Sequence, residues 1–131
     1  LQAISSKFIL DKKHAKNIIN ISINQKLKDQ LLSDKIEIDI LLRFSNTTQI
    51  NDAIKNVGLS KDQNFILIAI GNKSHLAKLY ETISSDLDIL FKNNNSIFLR
   101  NYFHISTQTL NSIESKTPLI DILIEKASIL I

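Results

Sequence analysis

The fold is most directly indicated by residues 43–70, which read RFSNTTQINDAIKNVGLSKDQNFILIAI. A helix that begins at Thr48 would carry four apolar residues on one face at helical spacing; these are Ile50, Ala53, Ile54 and Val57. Asn46 or Thr47 can cap this helix, because either side chain can accept a hydrogen bond from a backbone N–H at the helix start. Gly58 follows the last apolar residue, where a left-handed closing residue is easiest for glycine.

An apolar run follows this predicted helix. Residues 65–70 are too few to cross a membrane and do not alternate with polar residues, so we expect a central strand covered on both faces. Small polar residues and one arginine surround the start of this helix, and we call this group the polar knuckle: Arg43, Ser45, Asn46, Thr47, Thr48 and Gln49. Hydrogen-bonding groups concentrated at a helix start suit a ligand phosphate or base.

Two parts of the chain resemble the PRPK-binding protein family, the smallest, kinase-binding subunit of the KEOPS (EKC) tRNA-modification complex. The downstream part consists of Asp39–Arg43, Ser45–Gln49, Ile50, Ala53–Lys55, Gly58 and Phe65–Ile70, and the upstream part of Leu1–Gln2, Phe8–Asp11 and His14–Ala15. The similarity covers nearly the whole chain in order and spacing. It implies one domain over residues 1–131, which is expected to lack an N-terminal strand that family members carry before the equivalent of Leu1.

Composition agrees with one globular domain. The 131 residues are 44% apolar and 22% charged, and a chain of this length buries roughly two-thirds of its unfolded surface. Because the chain has no cysteine, disulfides and thiolate chemistry are excluded. Two glycines are too few for a phosphate-binding or dinucleotide-binding glycine loop. With no signal peptide or membrane span visible, we expect a cytoplasmic protein, or a nuclear one if the source is eukaryotic.

The remaining elements are predicted from hydrophobic spacing and from residues typical of helix ends and turns. We predict an extended piece over residues 1–10, a helix capped by Asp11 and ending near Gln25, a connection over 26–33, helices over 73–84 and 97–103, a short strand over 86–92, a short strand or irregular connection over 104–117, and a last helix with Pro118 in its first turn. The predicted fold class is α/β (α+β), a single domain with a small mixed β-sheet flanked by several helices.

Residues 34–44 give conflicting signals. Isoleucines at 36, 38 and 40 alternate with charged residues, which by itself favours a strand. The family resemblance instead implies a helix with Ser33 near its cap. We adopt the helix.

Signals for catalysis are weak. His14, His75 and His104 are far apart and lack a metal-binding frame, so we expect no metal and no cofactor. We expect His14 to pack or cap rather than react. No serine has the flanking glycines of a nucleophile elbow, and no carboxylate pair is set in apolar surroundings. The chain is predicted not to be an enzyme.

The polar knuckle and its neighbours are the candidate RNA site. In a helix, Lys35, Asp39 and Arg43 lie on one side, as a solvated ion ladder or with Arg43 offering a phosphate-binding fork. The resemblance implies that this region holds the single-stranded 3′ end of tRNA. The candidate RNA-binding residues are Lys35, Arg43, Ser45, Asn46, Thr47, Gln49 and Ile50.

The last helix is the candidate docking surface for a partner protein. Its wide apolar face contains Leu119, Ile120, Leu123, Ile124, Ala127, Leu130 and Ile131. Ile122 and Ile129 lie off that face beside Glu125 and Lys126, so they form either a second, partner-binding face or an extension of the core. The resemblance favours docking onto a kinase/ATPase subunit.

The resemblance thus implies a non-catalytic KEOPS subunit that aids threonylcarbamoyl-adenosine synthesis. It would bind and stimulate the kinase/ATPase subunit and hold tRNA, with no membrane association. Two alternatives stay open: a regulatory domain that binds a small anion at the knuckle, and a pure scaffold without RNA contact. Salt dependence distinguishes tRNA binding from small-anion binding. Affinity for a single strand falls by roughly 0.7 log units per neutralised phosphate for each log unit of salt, whereas a small anion that makes one contact responds much less.

Overall fold

The computed structural model describes residues 1–58, 64–87 and 94–130. Within these ranges the chain forms two strands, seven α-helices and two 3₁₀ turns. In chain order they are β1 (Gln2–Ser5), the turn Ser6–Phe8, α1 (Lys12–Leu27), α2 (Ile36–Ser45), α3 (Ile50–Val57), β2 (Phe65–Ile68), α4 (Lys73–Ile83), the turn Ser84–Asp86, α5 (Ser96–Tyr102), α6 (Thr107–Asn111) and α7 (Pro118–Ser128).

The described sheet is the antiparallel pair β1–β2, with Gln2 opposite Ile68 and Ser5 opposite Phe65. The predicted class is confirmed in its α+β form. The apolar run does form a strand, but the expectation that it is covered on both faces is wrong. Phe65 is 54% exposed and Leu67 is 37% exposed, whereas Ile68 is buried. An antiparallel pair can leave one face to solvent, and apolar composition alone does not reveal which face.

Helix α2 is the centre of the domain. It packs against α1, α3, α7 and β1, and every residue from Asp39 to Ser45 is buried. A helix buried all round needs no polar face, which explains why its sequence lacks helical periodicity. The helix implied by the family resemblance is confirmed, and it begins after Lys35 rather than near Ser33.

Local capping signals locate several helix starts. The Asp11 carboxylate accepts a hydrogen bond of 2.8 Å from the backbone N–H of His14, as predicted for the start of α1. Pro118 is the first residue of α7, where its missing N–H has no helical partner to lose. Ser106 Oγ accepts from the N–H of Thr109 and starts α6. The sequence prediction of a strand or irregular connection over 104–117 missed this short helix.

The cap of α3 differs from the prediction. The helix begins at Ile50, two residues later than expected, and its N-cap residue Gln49 makes no side-chain cap. Asn46 instead ends α2 in the left-handed conformation, with φ of 55°, which asparagine tolerates better than most residues. Thr47 Oγ1 accepts from the N–H of Gln49 at 3.1 Å and so forms a local turn.

Helices α4 and α5 confirm the predictions for 73–84 and 97–103 within one residue at each end. The predicted strand over 86–92 lies mostly outside the described residues, and Asp86 itself belongs to a 3₁₀ turn.

Gly58 is needed for space rather than for a left-handed backbone. Its φ of −69° and ψ of 178° are extended, so the expectation of a left-handed closing residue is wrong. A Cβ at Gly58 would lie 2.5 Å from the carbonyl oxygen of Ile54, well inside contact distance. At Gly71 the nearest atom to such a Cβ is Leu76 Cδ2 at 4.0 Å.

Replacing Gly58 with alanine is therefore expected to destabilise the domain by about 1–3 kcal/mol, the usual range for overpacking. Gly71→Ala is the matched control and is expected to leave stability within about 0.5 kcal/mol. Urea denaturation followed by circular dichroism measures both. Equal midpoints for Gly58→Ala and the wild type would show that the end of α3 relaxes freely.

Candidate functional site

A buried ion pair lies beneath the candidate RNA site. Arg43 Nε donates to Asp39 Oδ2 at 2.8 Å, and Arg43 Nη2 donates to Asp39 Oδ1 at 3.3 Å. Both side chains are almost fully inaccessible, at 1% and 0% exposure. Ser22 Oγ and the N–H of Leu32 also donate to the Asp39 carboxylate, at 2.6 and 2.8 Å. The carboxylate therefore joins α1, the following connection and α2.

The third arm of the guanidinium reaches the last helix. Arg43 Nη1 donates to the carbonyl oxygen of Ala127 at 2.8 Å, so the charge also neutralises the negative end of α7. Both sequence interpretations of Arg43 need correction, because its charge is neither solvated nor free to bind phosphate. In the helix that the family resemblance implies, the spacing correctly placed Asp39 and Arg43 on one side, but only packing determines that this side faces inward.

The rest of the knuckle divides into buried and accessible parts. Ser45 is buried, and its Oγ donates to the carbonyl oxygen of Leu42 at 3.0 Å. Gln49 and Ile50 are exposed, whereas Asn46 and Thr47 are half-buried. The structure therefore brings residues 45–50 together as a short surface segment, with Ser45 facing into the protein.

Lys35 does not join this segment. It is exposed and precedes the first turn of α2, whereas residues 46–50 follow the last turn. A helix of 10 residues places these ends about 15 Å apart. Lys35 could contact only a different part of an extended ligand.

The candidate docking residues of α7 also differ in exposure. Ile122 is 7% exposed and belongs to the core, so its assignment to a second face is corrected. Helix α7 packs against α1, α2 and α6, which widens its buried stripe beyond a single face. Ile129, by contrast, is 68% exposed. Glu125 is exposed beside it and Lys126 is half-buried.

His14 has the packing role that the sequence predicted. Its Nδ1 accepts a hydrogen bond of 3.0 Å from the backbone N–H of Leu10, and its ring meets Phe44 edge-on at 5.5 Å between centroids. Burial lowers the pKa of His14 from 6.5 to about 4, and the nearby Asp11 carboxylate opposes part of that change. The imidazole is therefore neutral at physiological pH.

A second polar surface was not predicted from the sequence. Residues of β1, the first 3₁₀ turn, α3 and α5 line a recess of about 260 Å³; they are Ser5, Lys7, Phe8, Lys55, Asn56, Phe98 and Tyr102. Phe98 and Tyr102 are four residues apart on one helix, a spacing that could have identified an aromatic pair. Nothing local in the sequence indicates that they meet Lys7 and Lys55.

Within residues 1–58, 64–87 and 94–130, no group of three or more histidines and carboxylates lies close enough together to hold a metal ion. Among the described helices, none has both the length and the apolar character that a membrane span requires.

These features define a small α+β domain with accessible patches for binding other molecules. A protein-family model described as "Kinase binding protein CGI-121" matches residues 1–126. The chain belongs to this family, which confirms the resemblance identified in residues 1–15 and 39–70. No curated protein matches the chain. A family of kinase-binding proteins favours a regulatory binding subunit over a catalytic one.

The buried ion pair generates a stability prediction. Arg43→Glu would leave two carboxylates facing each other without solvent, so we expect a loss of about 3–5 kcal/mol. That is a large part of the roughly 5–15 kcal/mol that stabilises a domain. Lys35→Glu makes the same charge change at an exposed end of α2 and is expected to have little effect.

Chemical denaturation of the three proteins tests this expectation. The double substitution Asp39→Leu/Arg43→Met removes both charges, and we expect it to be more stable than Arg43→Glu. A well-folded Arg43→Glu variant would contradict the role assigned to the pair.

His14 generates a pH prediction. Its pKa is lower when folded than when unfolded, so the unfolded chain binds the additional proton and stability falls with acid. The free energy of unfolding is not reduced by His14 above about pH 6.5. Relative to that value it is lower by about 2 kcal/mol at pH 5 and by about 3 kcal/mol at pH 4. The slope between pH 6.5 and 5, above most carboxylate pKa values, is the diagnostic measurement.

Unfolding free energies of the wild type and His14→Gln are compared over that range, with the exposed His75→Gln as control. We expect His14→Gln alone to flatten the slope. A wild-type stability that stays constant from pH 6.5 to 5 would contradict the buried neutral imidazole.

Proposed function

We propose that this chain is the kinase-binding, non-catalytic subunit of a KEOPS complex. In that role it binds and stimulates the kinase/ATPase subunit and holds the single-stranded 3′ end of tRNA during threonylcarbamoyl-adenosine synthesis. Its membership in the kinase-binding family supports the protein partner. The tRNA role extends the resemblance carried by the knuckle residues.

The observation that carries the docking proposal is the exposure of Ile129. It caps the C-terminal end of α7 and leaves 68% of its surface to solvent. Isolated exposed isoleucines are common, but this one follows a well-packed helix and has Glu125 and Lys126 nearby. An apolar centre with a charged rim is the usual composition of a protein interface. We assign the kinase contact to Ile129, Glu125 and Lys126, with Ile122 supporting the helix from the core.

Arg43 links this surface to the proposed RNA contact. Its hydrogen bond to Ala127 ties the last turn of α2 to the last turn of α7. The accessible part of the knuckle begins at Asn46, three residues after Arg43, and Ile129 lies two residues after Ala127. The buried guanidinium thus holds the kinase-docking surface and the RNA-binding segment at a fixed distance from each other. We assign the RNA contact to Asn46, Thr47 and Gln49 of the knuckle and to Ile50, the first residue of α3.

Ile129→Asp is expected to abolish kinase binding without unfolding the domain. A carboxylate desolvated in the interface costs about 2–5 kcal/mol, which weakens binding by about 30-fold or more. Calorimetric titration with the purified kinase/ATPase subunit measures the affinity, and a thermal melt of the free variant measures its fold.

Ile97→Asp is the matched control, since Ile97 is 72% exposed on α5 and receives the same substitution. We expect it to bind the kinase normally. Ile122→Asp should melt at a much lower temperature, because it places a carboxylate in the core. Normal kinase affinity for a folded Ile129→Asp variant would refute the docking surface, and no affinity in the wild type would refute the proposed function.

A further inference from the structure

The recess beside α3 combines aromatic rings with basic side chains. The first 3₁₀ turn contributes Lys7, α3 contributes Lys55 and Asn56, and α5 contributes Phe98 and Tyr102. None of the seven described residues that line it is acidic. The positive charge of two lysines is therefore not neutralised within the lining.

The aromatic part is a preformed cluster. Phe98 and Tyr102 are stacked with ring centroids 6.0 Å apart and an angle of 28° between their planes. Buried Phe8 meets both edge-on, at 5.2 and 4.7 Å. Phe8 packs against the two outer rings, which are only half-buried, so part of their surface stays accessible. A rigid, accessible ring is what a planar ligand needs for stacking.

The basic side chains have room to act on a ligand. Lys7 Nζ lies 5.8 Å from the centroid of Phe98, a weak cation–π contact for a solvated ammonium. A planar ligand can replace the ammonium over the ring, and the flexible lysine can then pair with an anion beside it. Lys55 is exposed at the same recess. Asn56 adds a carboxamide that both donates and accepts hydrogen bonds.

We propose that this recess binds one nucleotide of a single-stranded RNA, with its base against Phe98 and its flanking phosphates on Lys7 and Lys55. Proteins that hold single strands combine aromatic platforms with a basic groove. A volume of about 260 Å³ is just below the range of drug-sized sites and fits a single base. This site would add a nucleotide contact to the proposed function, and it rests on that function only for identifying the RNA as the 3′ end of tRNA.

Helix α3 connects the recess to the knuckle. The knuckle leads into its first residue, Ile50, and Lys55 and Asn56 lie in its last turn. A helix of eight residues separates the two places by about 12 Å. One short strand can therefore reach both surfaces along α3, although neither surface needs the other to bind.

The test measures binding of a fluorescent five-residue oligoadenylate to the complete chain by anisotropy. Lys7→Glu/Lys55→Glu is expected to weaken binding by tenfold or more. It should also reduce the slope of log affinity against log salt by about 1.4, the value for two phosphates on a single strand. Lys12→Glu/Lys16→Glu is the matched control, because it makes the same charge change at exposed positions of α1 outside the recess.

A second variant separates the base from the phosphates. Phe98→Leu keeps an apolar side chain but removes the stacking ring, so we expect binding to weaken about 5- to 150-fold with the salt dependence unchanged. Thermal melts of each variant confirm the fold before titration. Equal losses in the recess variants and in the α1 control would overturn the proposal.

Competition identifies the source of the nucleotide. Displacement by unlabelled oligoadenylate but not by adenosine monophosphate supports a site on an RNA strand, and equal displacement by both supports a site for any nucleotide. If pyrophosphate displaces the probe and adenosine monophosphate does not, the proposed stacking of a base on Phe98 is wrong.

Kinase binding is measured in parallel. Loss of RNA affinity with normal kinase affinity in Lys7→Glu/Lys55→Glu supports the recess as a separate site. RNA binding that survives all recess substitutions refutes the recess while leaving the proposed function standing. Failure of the wild type to bind the kinase refutes the proposed function while the RNA titration still judges the recess.

Discussion

The buried pair of Asp39 and Arg43 is the interaction on which the arrangement of this domain depends. Two charges at 0% and 1% exposure are stable only when every polar atom is paired. Ser22, the backbone of Leu32 and the backbone of Ala127 complete that pairing. Because these partners come from α1, the connection after it and α7, one ion pair determines how three parts of the chain meet around α2.

Binding surfaces remain accessible around the core of this small domain. The core includes residues of α1, α2, α3, α5, α7 and both strands. The C-terminal end of α7, the start of α3 and the flanks of α3 are left exposed. Ile129 lies at one such end, and Gln49 and Ile50 at another. The recess proposed to hold a nucleotide lies along α3, whose buried stripe consists of Ala53 and Val57.

Local signals predicted most elements correctly. Asp11 and Pro118 marked helix starts, because a cap and a first-turn proline act through bonds within one turn of the chain. The run at 65–70 predicted a strand for a similarly local reason. Where two local uses of one residue competed, prediction failed: Asn46 could cap α3 or end α2, and tertiary packing of α2 selected the second. The exposure of Phe65 was unpredictable because it depends on what covers the sheet.

The sequence by itself determined the fold class and the positions of most helices, since periodicity and capping depend on residues a few positions apart. The family was indicated by the resemblance of its ordered motifs to a known family. Over residues 34–44 the alternating pattern favoured a strand, and the family resemblance supplied the helix on which Asp39 and Arg43 share one side. Only the tertiary structure decided that this side is buried, that Ile122 is core and that Ile129 is not. The recess depends on residues from the first turn, α3 and α5. Such groups meet only through packing across long separations, and burial, which sets the energy of every charge, is a property of the folded chain as a whole.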